Sequence, residues 1–335
     1  DPIKAANNKL SFSDERAIHF GMIPRAHRCI FVINEIPDLQ PRLQVSLFNI
    51  LQEGDIQIRG FQKRLELDLQ FVFTANPEDY TNRGSIVTPL KDRIGSQIHT
   101  HYPKDIETAL KITAQETAEV QKRFPHVHLN TLASTIIEEI AFVSRESAYV
   151  DAKSGVSARM TISAFETILT SAERRRLVLG ADQTEVRLSD FYGCIPAIVG
   201  KLELVYEGEQ EGAVSVAESL LGEALKKVYE ASFPAFRNLK RTDEHNPFLA
   251  LQNWFSAGGS IELLDEFSQS EYEGALDVAP LNEFVEKNST SNGVPQVFLK
   301  EMVLWALSEY NQINRVRTAV STDFNDVFGN LLGND

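Results

Sequence analysis

The stretch Cys29-Ile-Phe-Val-Ile-Asn-Glu35 decides the fold of the first part of this chain. Its apolar core predicts a buried β-strand, and the polar pair Asn34 and Glu35 follows where that strand should end. A second apolar run, Phe71-Val-Phe-Thr-Ala75, predicts a parallel strand that is apolar on both faces. Asn76 stands at the end of this second strand. Many nucleotide-hydrolysing folds place a carboxylate beside a phosphate at a strand end of this kind.

The segment between the two strands predicts a helix and a hairpin. Pro37 and Pro41 flank the start of the helix, where proline is tolerated. Its apolar stripe consists of residues at helical spacing, namely Leu39, Leu43, Leu47, Ile50 and Leu51. The helix should end at Gly54, and the alternation over residues 55–69 around Gly60 predicts a β-hairpin. Strands and helices that alternate in this way indicate an α/β fold.

From Asp105 onward the apolar period becomes helical. We predict helices over residues 105–124, 129–147, 159–178, 187–206 with a kink at Pro196, 213–231, 248–257, 260–288 with breaks, and 295–332. Gly208–Gly212 is the clearest predicted linker. We therefore expect three domains: an α/β core with a parallel sheet over residues 1–104, a helical domain over 105–207, and an all-α C-terminal region over 213–335 of unassigned role.

Composition excludes several classes of function. The chain has 335 residues and a net charge of −14, which argues against broad nucleic-acid binding because that needs clustered lysine and arginine. Two cysteines favour a reduced, cytoplasmic setting. No run of eighteen apolar residues occurs, so we expect no membrane span. The chain begins with Asp1 and Pro2 instead of methionine, which is compatible with a natural start upstream.

No phosphate loop of the form Gly-x-x-x-x-Gly-Lys-Ser/Thr occurs in the sequence. The segment Gly193–Lys201 is the closest match to the phosphate-loop motif in this sequence. It has six residues between its glycines instead of four, and Leu202 replaces the hydroxyl residue. We expect this segment to be part of a core helix.

With these residues in place, residues 1–205 resemble the magnesium-chelatase and MoxR-like branch of the AAA+ ATPases, without the N-terminal Walker A part. Five ordered motifs carry the resemblance: residues 15–28 as the insertion before Walker B, Asn34-Glu35 as Walker B, Thr74-Ala-Asn76-Pro77 as sensor 1, Pro89-Leu-Lys-Asp-Arg93-Ile-Gly95 as the arginine-finger segment, and Gly155-Val-Ser-Ala-Arg159 as sensor 2. The resemblance implies a partial AAA+ core, followed by an α-helical lid.

The resemblance also implies roles for two catalytic residues. Glu35 would be the general base that polarises a water in line with the γ-phosphate, and the alternative is a solvated acid at a strand end. Arg93 would reach the nucleotide of a neighbouring subunit, and the alternative is a salt bridge with Asp92 or Glu78.

Three further residues would bind the nucleotide. Asn34 would hold Mg²⁺ weakly through water, since it departs from the family's usual aspartate. Asn76 would touch the γ-phosphate or orient the water, or else it only caps the turn before Pro77. Arg159 would contact the nucleotide from the lid, or else it is a surface charge. Arg83 is a candidate for a second interface arginine.

The function implied is ATP hydrolysis coupled to remodelling of a client protein or to metal insertion. ATP and Mg²⁺ would be the cofactors of a protein that also has a phosphate loop, and we do not expect this chain alone to bind them. A homo-oligomeric ring is implied, and neither a membrane nor a nucleic-acid partner is expected. The alternatives are a non-hydrolysing scaffold with the AAA+ shape and a transcriptional regulator of the same superfamily.

Overall fold

The computed structural model of this chain forms two compact units, Asp1–His101 and Tyr102–Asp335. The structure describes residues 2–7, 9, 14, 18–58, 64–76, 85–152, 154–234, 236, 246–291 and 293–326.

The first unit alternates short helices and strands. In chain order its elements are α1 (Pro2–Asn7), α2 (Met22–Arg25), β1 (Ile30–Ile33), a 3-10 turn (Ile36–Asp38), α3 (Pro41–Ser46), α4 (Phe48–Glu53), β2 (Asp55–Gln57), β3 (Arg64–Glu66), β4 (Gln70–Phe73) and α5 (Thr88–Lys91). The predicted helix between the strands is therefore two short helices, and α4 ends at Gly54 with a φ of 66°. The predicted hairpin is present, because β2 and β3 pair antiparallel.

The two apolar strands pair in parallel, as predicted, with Ile30 opposite Gln70 and Ile33 opposite Phe73. One face of this pair packs towards a small core centred on three buried residues, Ile36, Leu47 and Leu90. The opposite face carries Ile30, Val32 and Val72, which are 68%, 56% and 41% exposed. These strands are thus apolar on both faces, but only one of those faces is covered within the described part of the unit.

The second unit is mainly helical. Its elements are α6 (Ile106–Gln121), β5 (Val127–His128), α7 (Thr131–Glu146), α8 (Arg159–Leu179), β6 (Thr184–Glu185), a 3-10 helix (Leu188–Cys194), α9 (Ile195–Val199), α10 (Tyr206–Glu211), α11 (Ala213–Ser232), α12 (Leu249–Ser256), β7 (Ile261–Leu264), α13 (Gln269–Ala275), α14 (Ala279–Asn288), α15 (Gln296–Glu309), β8 (Asn314–Arg317) and β9 (Ser321–Asn325).

The helices with clear start and stop signals are confirmed. Asp105 caps α6 by accepting a hydrogen bond from the Thr108 amide at 2.7 Å. Asn130 caps α7 in the same way, and Gly180 ends α8 with a φ of 63°.

Two predicted boundaries in this unit are wrong. Residues 187–206 do not form one helix, because Pro196 lies in the first turn of the separate helix α9. The predicted linker Gly208–Gly212 is largely the helix α10. Gly208 is buried there, and a Cβ at that position would lie 2.6 Å from the carbonyl oxygen of Tyr149. The glycine therefore serves close packing instead of flexibility.

The all-α expectation for the C-terminal region is also wrong. Strands β7, β9 and β8 form an antiparallel sheet in that order. Ile261 and Leu263 of β7 are buried while Glu262 is exposed, which is the period of a strand. The last predicted helix ends at Glu309, and residues 327–335 lie outside the described residues.

One hydrophobic core extends from Val127 to Phe324 in the second unit. Buried residues of α7, α8, α11 and α15 all belong to it. The predicted division of this unit into a lid over residues 105–207 and a separate domain over 213–335 stays a prediction. Among the described residues, no helix is sufficiently long and apolar to span a membrane.

The two cysteines lie in different surroundings. Cys29 precedes β1 and is exposed, although its position before an apolar strand favoured burial. Cys194 is buried, and burial raises the pKa of its thiol to about 12.

A fully buried carboxylate, Glu301 of α15, joins three segments of the second unit. It accepts a hydrogen bond from the Leu188 amide at 2.8 Å and another from the Tyr272 hydroxyl. The Arg187 guanidinium lies 4.0 Å above the Tyr272 ring. Burial raises the pKa of Glu301 to about 7, although both hydrogen bonds act to lower it.

We expect the stability of the second unit to fall as the pH rises from 4.5 to about 7. In this range the folded state retains a proton on Glu301 that the unfolded state loses at its ordinary pKa of 4.5. The loss amounts to about 3 kcal/mol at 1.36 kcal/mol per pH unit. Glu301→Gln should remove this contribution, so the free energy of urea unfolding, followed by the combined fluorescence of Trp254 and Trp305, should depend less steeply on pH. Exposed Glu283→Gln is the control, and an unchanged slope in Glu301→Gln would contradict the prediction.

Candidate functional site

The tips of β1 and β4 are joined at Asn34, Glu35 and Thr74. The Glu35 amide donates to the Thr74 hydroxyl oxygen at 3.0 Å, and that hydroxyl donates to Asn34 Oδ1. The Ile36 amide donates to the Thr74 carbonyl at 3.0 Å. These bonds hold the polar pair of the first strand against the end of the second.

Glu35 has a left-handed backbone, with a φ of 51° and a ψ of 57°. Residues other than glycine rarely adopt this conformation, and it is found at sites where surrounding structure imposes it. Here the imposing contact is the bond from its amide to Thr74. The side chain is exposed, so the carboxylate is available to a water molecule or a ligand.

Thr74 has a role at this site that its sequence motif did not predict. Its side chain is both the acceptor for Glu35 and the donor to Asn34. The available signal was its place in the Thr-Ala-Asn motif. Asn76 is exposed two residues further along, and Pro77, the basis of its alternative capping role, lies outside the described residues.

The residues at these strand tips supply too few ligands to hold a magnesium ion by themselves. They are better suited to a magnesium ion that nucleotide phosphates also bind. They offer the Glu35 carboxylate and the Asn34 amide oxygen, and Mg²⁺ prefers oxygen ligands. Asn34 Oδ1 already accepts the Thr74 hydroxyl, so part of its capacity is used. Within the described ranges, no group of three or more histidine, cysteine, aspartate or glutamate side chains could hold a metal by itself.

Arg93 lies just past α5 and is held by its own chain. Its Nη2 and Nε donate to Gln52 Oε1 at 2.8 and 3.2 Å, and its Nη1 donates to the Pro89 carbonyl at 2.7 Å. Its guanidinium carbon lies 5.1 Å from the centre of the Phe48 ring. These partners differ from Asp92, one of the two predicted salt-bridge alternatives, and the other, Glu78, lies outside the described residues. These contacts hold the half-buried guanidinium of Arg93 against α4.

Gln44 connects the segment after Glu35 to the start of α5. Its side-chain amide donates to the carbonyls of Leu39 and Ser85 at 2.8 and 3.2 Å, and its oxygen accepts from the Val87 amide at 2.9 Å. Gln44 is fully buried. The helical stripe predicted Leu43 as the inward residue, and that prediction is wrong, because Leu43 is exposed.

Gln44→Leu should destabilise the first unit by about 3 kcal/mol, because buried amide and carbonyl groups would lose their partners. Thermal unfolding followed by circular dichroism, together with faster exchange of the Val87 amide, would measure this loss. The matched control is Gln40→Leu, the same change at an exposed position beside the same helix. Equal stability of the two variants would contradict the prediction.

Arg159 belongs to the second unit, whereas Glu35, Asn76 and Arg93 belong to the first. It is the first residue of α8, its side chain is exposed, and its amide donates to the Ser157 hydroxyl at 3.2 Å. Its contact with a nucleotide stays a prediction. Arg83 lies outside the described residues.

Comparison with known proteins adds family evidence. Residues 6–96 match the family described as the Sigma-54 interaction domain. The magnesium-chelatase 38 kDa subunit of Cereibacter sphaeroides is 26% identical over 106 residues, which cover 31% of this chain and 30% of the relative. The chain therefore matches about a third of the length of this relative.

A solved structure was also found, of a "putative ATPase" from Cytophaga hutchinsonii. It is 19% identical, covers 57% of this chain and 64% of its own, and has a TM-score of 0.24, which is too low to support a structural argument. The stretch matched by the family contains Asn34, Glu35, Asn76 and Arg93. Residues 6–96 are thus similar to the Sigma-54 interaction domain, and a 106-residue stretch is similar to a magnesium-chelatase subunit, which supports the resemblance to AAA+ ATPases.

Proposed function

We propose that this protein couples ATP hydrolysis to the remodelling of a client protein, or to the insertion of a metal into one. The proposal rests on the hydrogen bonds that join the ends of β1 and β4. The bonds of Thr74 to Glu35 and Asn34 fix the backbone from which an exposed carboxylate projects. The similarity to a magnesium-chelatase subunit supports metal insertion as one form of the work.

In the proposed mechanism Glu35 accepts a hydrogen bond from a water molecule and takes its proton as the water oxygen bonds to the γ-phosphorus. The bond from that phosphorus to the β–γ bridging oxygen breaks, and ADP leaves with the electron pair. Asn76 orients the same water or contacts the γ-phosphate. Asn34 would contact a nucleotide-bound Mg²⁺ through a water molecule, and the ion would supply positive charge to neutralise the phosphates. Positioning and charge stabilisation supply most of the rate in reactions of this class.

Arg93 acts in trans in this proposal, at the nucleotide of a neighbouring copy, which implies a homo-oligomeric ring. To act there, its guanidinium must leave Gln52 and the Phe48 ring. Arg159 would contact the nucleotide of its own chain from the helical lid. Each hydrolytic site would therefore contain residues from two copies of the chain.

Hydrolysis of this kind requires a phosphate loop, and we call a protein in which a phosphate-loop segment accompanies residues 1–335 the full-length ATPase. The chain from Asp1 to Asp335 contains no phosphate-loop motif, so it should bind Mg-ATP with a dissociation constant in the millimolar range, about 1 mM or weaker. Isothermal titration calorimetry measures this directly. Micromolar affinity would contradict the proposal and indicate a different phosphate site within these residues.

A non-hydrolysing scaffold is the second candidate, and Asn34 favours it. This residue has no charge, and its Oδ1 already accepts the Thr74 hydroxyl. Phosphate release by the full-length ATPase separates the two: sustained turnover supports the enzyme, and ATP binding without turnover supports the scaffold.

A transcriptional regulator is the third candidate, and the match to the Sigma-54 interaction domain favours it. The net charge of −14 and the lack of a basic recognition helix in the sequence argue against direct DNA binding. Fluorescence anisotropy with a labelled sigma-54 factor would test this reading, and specific binding would support it.

A further inference from the structure

Tyr102, the first residue of the second unit, is held from two sides. Its hydroxyl oxygen accepts a hydrogen bond from the Val156 amide at 3.0 Å. The guanidinium carbon of Arg145 lies 4.0 Å from the centre of its ring, and it also lies 5.3 Å from that of Phe142. A cation stacked on an aromatic face in this way fixes the ring plane.

The turn that Tyr102 contacts is closely packed. Gly155 has a φ of 69°, and a Cβ on it would lie 2.6 Å from the Tyr102 hydroxyl. The Gly155 amide donates to the Asp151 carbonyl at 3.0 Å. Val156 is fully buried and forms an antiparallel bridge with Leu202. The hydroxyl thus sits where only a glycine leaves room for it.

Arg159 follows this turn after two residues and begins α8. The cap residue of α8 is Ala158, whose side chain cannot accept a hydrogen bond from the helix. The start of α8 therefore depends on the preceding turn and on Ser157, whose hydroxyl accepts from the Arg159 amide. Whatever fixes the turn also fixes the origin of the Arg159 side chain.

We propose that Tyr102 is a positioning residue for Arg159. Its hydroxyl anchors the Gly155–Val156 turn, and this anchor sets the place and direction from which Arg159 reaches a nucleotide phosphate. The inference rests on the proposed role of Arg159 in binding the nucleotide. Tyr102, at the start of the second unit, would thereby support nucleotide binding without contacting the phosphate itself.

The structural half of the proposal is tested in this chain by amide hydrogen exchange. Tyr102→Phe removes only the hydroxyl, so the Val156 amide should exchange about five-fold faster. Tyr149→Phe is the matched control, because Tyr149 is equally exposed, at 42%, and its hydroxyl has no hydrogen-bond partner in the described part of the chain. Unchanged exchange at Val156 would overturn the anchoring role.

The functional half is tested in the full-length ATPase by titration with a fluorescent ATP analogue and Mg²⁺. Arg159→Ala should weaken the affinity by about ten-fold, as expected for loss of a charged hydrogen bond. Tyr102→Phe should weaken it by about three-fold, and the double variant should match Arg159→Ala alone. This non-additivity is the signature of positioning, because a general structural effect would persist without Arg159.

The outcomes separate the two proposals. If Arg159→Ala leaves the affinity unchanged, the proposed role of Arg159 fails, and the inference fails with it. If Arg159→Ala weakens binding but Tyr102→Phe does not, or if the two effects add, only the positioning role of Tyr102 is overturned.

Discussion

Glu35→Gln in the full-length ATPase is expected to lower ATP turnover by about 1,000-fold while leaving the affinity for ATP within about two-fold. The side-chain amide of glutamine has the size of the carboxylate but cannot take a proton from the attacking water. The backbone that presents it should persist, because the bonds to Thr74 involve the Glu35 amide and not its side chain. Steady-state phosphate release and nucleotide titration measure the two quantities separately.

The matched control for this variant is Asp38→Asn, at an exposed acid on the 3-10 turn that follows Glu35. It makes the same chemical change three residues away and should retain turnover. Near-normal hydrolysis by Glu35→Gln would remove Glu35 as the general base. Glu35 would then be only a solvent-exposed acid at the end of β1.

Arg93→Ala is expected to lower turnover by about 1,000-fold, the range in which an arginine that stabilises the transition state acts. ATP affinity should change little, because the residue serves the neighbouring copy. Lys91→Ala, at an exposed cation on α5, is the control. The Arg93 contacts to Gln52 are near the surface, so their loss should cost little stability.

Mixing the two inactive variants tests the trans arrangement directly. A ring that contains Glu35→Gln and Arg93→Ala copies has some interfaces at which an intact Glu35 meets an intact Arg93. Such a mixture should recover a measurable fraction of wild-type turnover, although neither variant has it alone. If both residues serve one nucleotide within a single chain, the mixture will stay inactive.

The sequence predicted the parts of the fold that have local signals. The strand before Asn34 and its parallel partner were found from their apolar runs. Helices α6, α7 and α8 were found because period, caps and the terminal glycine agree. At these positions the chain's local preference and its tertiary structure coincide.

The remaining features depend on contacts between distant residues. Strand β7 pairs with β9, about sixty residues later, and its short apolar run could not be distinguished from a helix. Gln44 is a polar residue at a helical position in the sequence, and its burial depends on hydrogen bonds to the backbone of Ser85 and Val87. The role of Thr74 likewise requires the register of two strands.

The distribution of cysteine and tryptophan gives each unit its own spectroscopic reporter. Exposed Cys29 lies in the first unit, while Cys194 is buried with a pKa of about 12, so a thiol dye should label Cys29 selectively. Both tryptophans, Trp254 and Trp305, lie in the second unit. Unfolding of the two units can therefore be followed in one sample, without any substitution, by dye emission for one and indole emission for the other.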